Sequence, residues 1–303
     1  MNGHHSPSVR LALRITLALS LVAGPVLSGR SLADPAQTQV DALVQQVENS
    51  AQQAGMPVTL TIDHARLAEQ AGSPMEPATV VMVRQTELES RWLRANPNLA
   101  LELPLRVLAH QTESHPSVRV SHQEGAALLA RHGLSDPALA ATYDRAVAAL
   151  LQPVPAARVQ AVPARPVEGD GVVNLTSPWD RATTRERVLA IIRAQSDTVL
   201  FDELTLQSAS KSGEQPYSLT LILFGGPGPG GRAMAGSTLL GLDAFCQKLL
   251  ILQNANSAIQ VRFNDLTWIA RRQGVPVSPV LQAINARLIN TFREELAARN
   301  PTP

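Results

Sequence analysis

Leu99-Ala-Leu-Glu102 and Leu240-Gly-Leu-Asp243 are one phrase written twice, 141 positions apart. The same spacing carries Val120 to Val261 and Arg131-His-Gly-Leu134 to Arg272-Gln-Gly-Val275. It also sets Val47 against Val188, Val58 against Val199, Gly72 against Gly213, Thr79 against Thr220, Arg91 against Arg232 and Leu108 against Leu249. No gap is needed, and apolar positions meet apolar positions at every strand. So long a period belongs to a whole domain rather than a solenoid unit, and each copy is expected to own a core. The repeat speaks to architecture and is silent on chemistry.

Local patterns give each copy its elements. Asp34-Pro35 reads as an N-cap with proline at the first helical position, and Val40, Leu43, Val44 and Val47 fall at helical spacing to about residue 54. Strands are predicted at 58–62, 79–83, 103–110 and 118–122, with helices over 87–95, 124–132 and 138–151. Gly133 suits a helix C′ position. The second copy repeats the order, with helices at 180–194, near 232–235, 266–272 and 279–299, and strands at 199–206, 218–224, 247–253 and 258–263. Between the copies, Pro153, Pro155, Pro163 and Pro166 with Gly169 and Gly171 predict a semi-rigid linker. The expected domains are a signal peptide at 1–33, a first domain at 34–151, the linker at 152–178 and a second domain at 179–303. The expected fold class is α+β: two similar domains, each a small, mainly antiparallel sheet with helices packed on it, forming a pseudo-dimer.

Composition narrows the function classes. The 303 residues are 45% hydrophobic and 17% charged with a net charge of +1, ordinary for a globular chain. No basic stripe is present, which argues against a nucleic-acid partner. Arg10 and Arg14 precede a mostly apolar stretch from Ile15 to Leu27, and Ser31-Leu-Ala33 offers a small-x-small cleavage site. The stretch is short for a span, which needs about 20 residues, so cleavage is favoured over retention as an anchor. The expected location is periplasmic or secreted, with no integral membrane span after signal cleavage. Cys246 is the only cysteine and sits in an apolar run, which favours a buried thiol and excludes an internal disulfide.

The residues that carry a family resemblance divide between the copies. The first has Ile62-Asp-His-Ala65, Asn96-Pro97, Leu101-Glu-Leu-Pro-Leu-Arg-Val-Leu108 and Arg131-His-Gly-Leu134. The second has Leu223-Phe-Gly-Gly-Pro227, Gly241-Leu-Asp243, Val261-Arg-Phe-Asn-Asp265 and Arg272-Gln-Gly-Val275. In these the chain resembles a tandem pair of DUF302 domains, a bacterial family whose activity is not established. Copy one departs from the usual Phe-Gly-Asn-Pro loop, having Val83-Arg-Gln-Thr86, and has His122-Gln-Glu124 where copy two keeps Phe263-Asn-Asp265. Copy two has Leu204-Thr205 in place of the Asp-His pair. The resemblance implies an α+β domain that associates with a second copy, hence a fused dimer and a monomeric chain. It implies no reaction.

Candidate site residues follow from type and position. His64, beside Asp63 at a strand end, is the first, because imidazole titrates near neutral pH; the plainer reading is an edge histidine satisfied by backbone. His64, His110, His115, His122 and His132 all lie in copy one, yet none shows the tight spacing of a zinc site, and no metal or cofactor is assigned. Gly225 to Gly231 lacks the Lys-Ser/Thr of a phosphate loop and reads as a rigid turn that can wall a cleft. Glu102 and Asp243 are matched carboxylates: an acid–base couple is one reading, and an ion pair with an arginine such as the matched Arg91 and Arg232 is the preferred one. Asn264-Asp265 reads as a helix cap. The expected ligand-binding set is therefore Asp63, His64, Gly225, Gly226, Asp243, Asn264 and Asp265. The expected function is non-catalytic binding of a small molecule or an envelope protein partner in the groove between copies. The alternative is a metal binder or enzyme on copy one, with His64 central and Glu102 assisting.

Overall fold

Asp34 opens the first helix as predicted, its carboxylate accepting from the Ala36 N–H at 2.9 Å ahead of α1 (Pro35–Gln53). The structure, a computed structural model, describes residues 34–112, 115–207, 218–254 and 256–297. The export signal read at 1–33, and Gly213, lie outside the described residues. After β1 (Val58–Asp63) comes α2 (His64–Gln70), a helix absent from the sequence reading: Asp63 caps it, accepting from the Arg66 N–H at 2.9 Å. His64 therefore opens a helix rather than ending a strand. The half continues through β2 (Ala78–Val83), α3 (Thr86–Ala95), a 3-10 turn over Pro97–Glu102, β3 (Leu105–Thr112), β4 (His115–His122), α4 (Gly125–Arg131) and α5 (Pro137–Leu151).

The segment read as a linker is extended, and both sheets use it. β5 (Val159–Ala161) pairs parallel with β4, and β6 (Val172–Ser177) joins the edge of the second sheet. The second half runs α6 (Arg181–Ala194), β7 (Val199–Gln207), β8 (Ser218–Gly225), α7 (Pro227–Met234), a 3-10 turn over Thr238–Leu242, β9 (Gln247–Gln253), β10 (Ile259–Asn264), α8 (Leu266–Gln273) and α9 (Pro279–Ala297). The glycine run is thus helical rather than a turn, with Pro227 at the favoured first position. Gly133 and Gly274 both end helices at φ 73°, where a side chain is strained. The sheets are ordered β1-β2-β3-β4-β5 and β7-β8-β9-β10-β6, antiparallel except at β4–β5. The chain is α+β, with two sheet-plus-helix halves.

Strand pairing corrects the gapless offset. Met82 faces Arg106 and Leu223 faces Lys248, so Arg106 corresponds to Lys248, 142 positions apart. By the same register Leu108 answers to Leu250 rather than Leu249, and Asp63 to Thr205 rather than Leu204. At β4 and β10 the spacing returns to 141, Val120 matching Val261. Slipping a strand by one residue turns its side chains to the other face, so pairing decides what a run of similar leucines leaves open.

The halves do not keep separate cores. One face of the second sheet, through Leu204, Leu206, Leu221, Leu223, Leu250 and Leu252, joins the cluster built on α1, α5 and the first sheet. Its other face, through Ile222, Phe224, Leu249, Ile251 and Phe263, packs with α6, α8 and α9 in a second cluster. Alternation on β8 and β9 thus sends one set of side chains inward to the seam and the other to the helices. No described helix is long and apolar enough to cross a membrane.

Candidate functional site

The seam holds a buried polar network built largely from positions matched between the halves. Glu102, at the end of the first 3-10 turn, accepts from Arg131 Nη1 at 2.8 Å and contacts His132 Nε2 at 2.9 Å. Its other oxygen lies 3.4 Å from Arg106 Nη2. Arg106 spans the seam, donating from Nε to the Leu242 carbonyl (2.8 Å), from Nη1 to the Glu102 carbonyl (2.6 Å), and from Nη2 to Asp243. Asp243 also accepts from Gln123 Nε2 at 2.6 Å and Gln273 Nε2 at 3.1 Å. Arg131 Nη2 donates to Asn264 Oδ1 at 2.9 Å. Burial works to raise the Glu102 pKa, but Arg131, His132 and Arg106 hold the carboxyl well below its usual range. Glu102 and Asp243 are therefore held in ion pairs, the preferred kind of partner, though with Arg106 and Arg131. Arg91 instead lies 3.4 Å from Glu87, and Arg232 donates to Ser73 Oγ at 3.1 Å.

Lys248 breaks the symmetry. It stands where Arg106 stands in the first sheet, is 1% exposed, and its Nζ has no hydrogen-bond partner among the described residues. Burial, followed by the nearby Arg106 charge, pushes its pKa well below the usual lysine value. The seam is closed by a second polar link: the Thr238 hydroxyl donates to the Gln111 carbonyl at 3.0 Å, so His110 Nδ1 donates to Thr238 at 2.8 Å, and Nε2 lies 2.8 Å from the Ser121 hydroxyl.

Beside this network lies a small seam cavity of about 20 Å³. Ile62, His64 and Leu67 line it from the first half, and Phe201, Gly225, Gly226, Met234, Phe245 and Cys246 from the second. His64 Nε2 is 3.3 Å from the Gly241 carbonyl, and burial lowers its pKa to about 4, so the ring is neutral at pH 7. A Cβ at Gly241 would stand 2.9 Å from the His64 ring, so this close approach requires glycine. The Cys246 thiol is buried as expected and pushed up to about 12 by that burial.

A cleft in the second half shares Gly226 and Phe245 with that cavity. It measures about 70 Å³, with Ile191, Ile192, Phe224, Phe245, Leu288 and Phe292 as its apolar wall. Arg287 at its rim is tied to Asp197 at 2.7 and 2.9 Å and to Gln195 at 2.6 Å. The corresponding cleft of the first half, about 240 Å³, is bounded by Ala54, Met56, Leu88, Thr142 and Ala146 and reaches no strand. There α3 brings Leu88 and Trp92 where α7 has Pro229 and Ala233, and Trp92 stacks on Tyr143 with ring centroids 5.2 Å apart.

The structure thus divides the expected ligand set among four places. His64, Gly225 and Gly226 meet at the seam cavity, and Gly226 also lines the cleft. Asp243 and Asn264 sit in the buried network. Asp63 lies apart, capping α2 and pairing with Arg66 Nη1 at 2.7 Å. Asp265 caps α8, accepting from Thr267 and Trp268 N–H groups at 2.8 and 2.9 Å. Sequence reasoning missed Arg106, Gln123, Lys248 and the Phe224–Phe245–Phe292 wall. A lysine directly before the apolar run 249–252 was the available signal for Lys248; the phenylalanines carry no motif.

Three comparisons bear on this arrangement. No curated protein matches the chain. A solved structure described as "Crystal structure of uncharacterized conserved protein DUF302 from Bacillus stearothermophilus" is similar at 18% identity over 37% of this chain and 86% of that one, with a TM-score of 0.30. The family model described as "Domain of unknown function DUF302" matches residues 34–150. The match to DUF302 therefore coincides with the first of the two halves.

Proposed function

We propose that the protein is an exported, non-catalytic binding protein that holds a small, largely apolar molecule in the second-half cleft, against the seam. We infer with it that residues 179–303 are a second copy of the DUF302 domain, since their four main strands and, apart from α2, their helices follow in the same order at 141–142 residue spacing. The observation that carries the reading is the convergence of Phe224, Phe245, Phe292, Ile191, Ile192 and Leu288 on one opening with a polar rim. Apolar walls with a few placed polar groups are what small-ligand sites are made of. Arg287 at the rim is committed to Asp197, and the carboxylates Glu102 and Asp243 to buried arginines. That supports binding over acid–base chemistry. A protein partner has less to hold, since Val58, Val199 and Val280 are the exposed large apolar side chains among the described residues.

The test is a fluorescence titration with N-phenyl-1-naphthylamine, a neutral apolar probe, together with native mass spectrometry of chain purified from an exporting host. Leu288→Trp, which fills the cleft, is expected to weaken probe binding at least tenfold, while Ala149→Trp in the first-half cleft leaves it unchanged. Equal binding by both variants, or none by the wild type, sinks the reading. A mature mass starting near Asp34 supports export, and an intact N-terminus in the recovered chain refutes cleavage.

A further inference from the structure

The second-half cleft contains a polar side chain that no other described residue satisfies. Gln247 opens β9 directly opposite Phe224 on β8, so the two side chains share the sheet face that α6 and α9 cover. In the first sheet the matching pair is Leu105 and Val83, both buried and apolar. An amide therefore stands where the other half keeps a leucine. Gln247 lines the cleft and is 8% exposed, yet its side chain makes no hydrogen bond among the described residues. The charged side chains that line the cleft, Asp197 and Arg287, are paired with each other at 2.7 and 2.9 Å. Gln195 Oε1 takes a further guanidinium N–H at 2.6 Å.

We propose, on the reading of this cleft as a small-molecule site, that its ligand is an uncharged, single-ring aromatic amide or alcohol whose head group is held by the Gln247 side chain. Size limits the apolar end. About 70 Å³ is less than half of the roughly 150 Å³ that encloses a benzene, so no more than one ring enters and the rest of the molecule stands in the mouth. The wall favours an aromatic ring: Phe224 and Phe292 already meet edge to face, with centroids 5.9 Å apart at 71°, an arrangement that a ligand ring can join. Hydrogen bonding and charge set the head. The Gln247 amide offers both a donor and an acceptor, and an amide or alcohol can answer both. A carboxylate or ammonium taken out of water there needs a counter-charge. The cleft has none to give, because the Arg287 and Asp197 charges cancel. Hydrogen bonding from Arg287 holds the Asp197 carboxyl below its usual range, so the pair is ionised at pH 7. Asp197 is thus the residue that decides against carboxylates, by occupying the guanidinium that would otherwise receive one.

The experiment is displacement of N-phenyl-1-naphthylamine from the full chain at pH 7 by 3-phenylpropanamide, by its isosteric anion 3-phenylpropanoate, and by propylbenzene, which lacks the head group. The amide is expected to displace the probe at a concentration at least tenfold lower than the carboxylate. Gln247→Leu, which puts the first-half residue in its place, is expected to lower the amide-to-propylbenzene affinity ratio about tenfold, a change that a merely structural role would not produce. Asp197→Asn releases Arg287 and is expected to raise the carboxylate-to-amide ratio at least tenfold. Equal displacement by amide and carboxylate in the wild type overturns the proposal, and so does an unmoved ratio in either variant. Failure of the wild type to bind the probe brings down the cleft reading and the ligand class together. Probe binding without discrimination among the three molecules leaves the cleft reading standing and overturns the ligand class alone. If a variant does not fold, the wild-type comparison of amide with carboxylate decides.

Discussion

Arg106 and Lys248 occupy the same place in the two sheets and lead opposite lives. Arg106 reaches across the seam to Asp243 and back to Glu102, and every direction of its guanidinium is used. Lys248 is equally buried, and its Nζ makes no hydrogen bond among the described residues. The clefts differ too: α3 sets Leu88 and Trp92 where α7 has Pro229 and Ala233, and the second-half cleft reaches the strand residues Phe224 and Gln247 while its first-half counterpart reaches none.

The sharpest test of the comparison is at the matched cations. Arg106→Ala strands buried carboxylates and is expected to cost about 3–5 kcal/mol in chemical denaturation. Lys248→Met removes a desolvated amine and is expected to lie within about 1 kcal/mol of wild type or above it. Equal losses at both positions would mean that Lys248 has a partner and that the asymmetry is unreal.

Next in size is the Glu102 carboxylate, held by Arg106 and Arg131. The Glu102 pKa is depressed in the folded chain, so its contribution to stability is present above the unfolded carboxyl range, about 4.3, and is lost as pH falls through the folded value. Glu102→Gln is expected to lose roughly 3 kcal/mol at pH 7. The gap to wild type should close in acid. A gap that stays constant from pH 7 to pH 3 would show that the Glu102 charge plays no part.

The α7 glycines give a smaller contrast. A Cβ at Gly231 would stand 2.5 Å from the Ala68 Cβ and 2.6 Å from the Ser73 carbonyl, where α2 of the first half packs on α7. Gly231→Ala is expected to cost about 1–3 kcal/mol as that contact is pushed apart. At Gly228 the nearest atom is 3.5 Å away, and Gly228→Ala is expected to be neutral or to gain up to about 1 kcal/mol in helix propensity. Thermal melts of the pair measure both, and matching melting points would deny the close approach. Smallest is Asp265→Ala, expected to cost about 1 kcal/mol through loss of the α8 cap.

Much of the fold was legible along the chain because its signals are local. Asp34-Pro35 opened α1, Asp265 capped α8, and Gly133 and Gly274 ended their helices, each through groups within a few residues. Apolar alternation found the eight main strands. The helix at His64–Gln70 escaped notice, since a seven-residue helix shows scarcely two turns of periodicity. The prolines of the linker read as extended backbone, but only pairing shows that β5 and β6 edge the two sheets.

Spacing along the chain pointed to α+β halves and set Glu102 against Asp243, Arg131 against Arg272 and Gln123 against Asn264. Which of these side chains touch follows from the packing of the two sheets. The one-residue slip that sets Lys248 opposite Arg106 is invisible among consecutive leucines, because hydrophobicity is degenerate while strand register is not. His64, Met234 and Cys246 lie up to 182 positions apart in sequence, and only the packing of α2 against α7 brings the two halves together at one cavity.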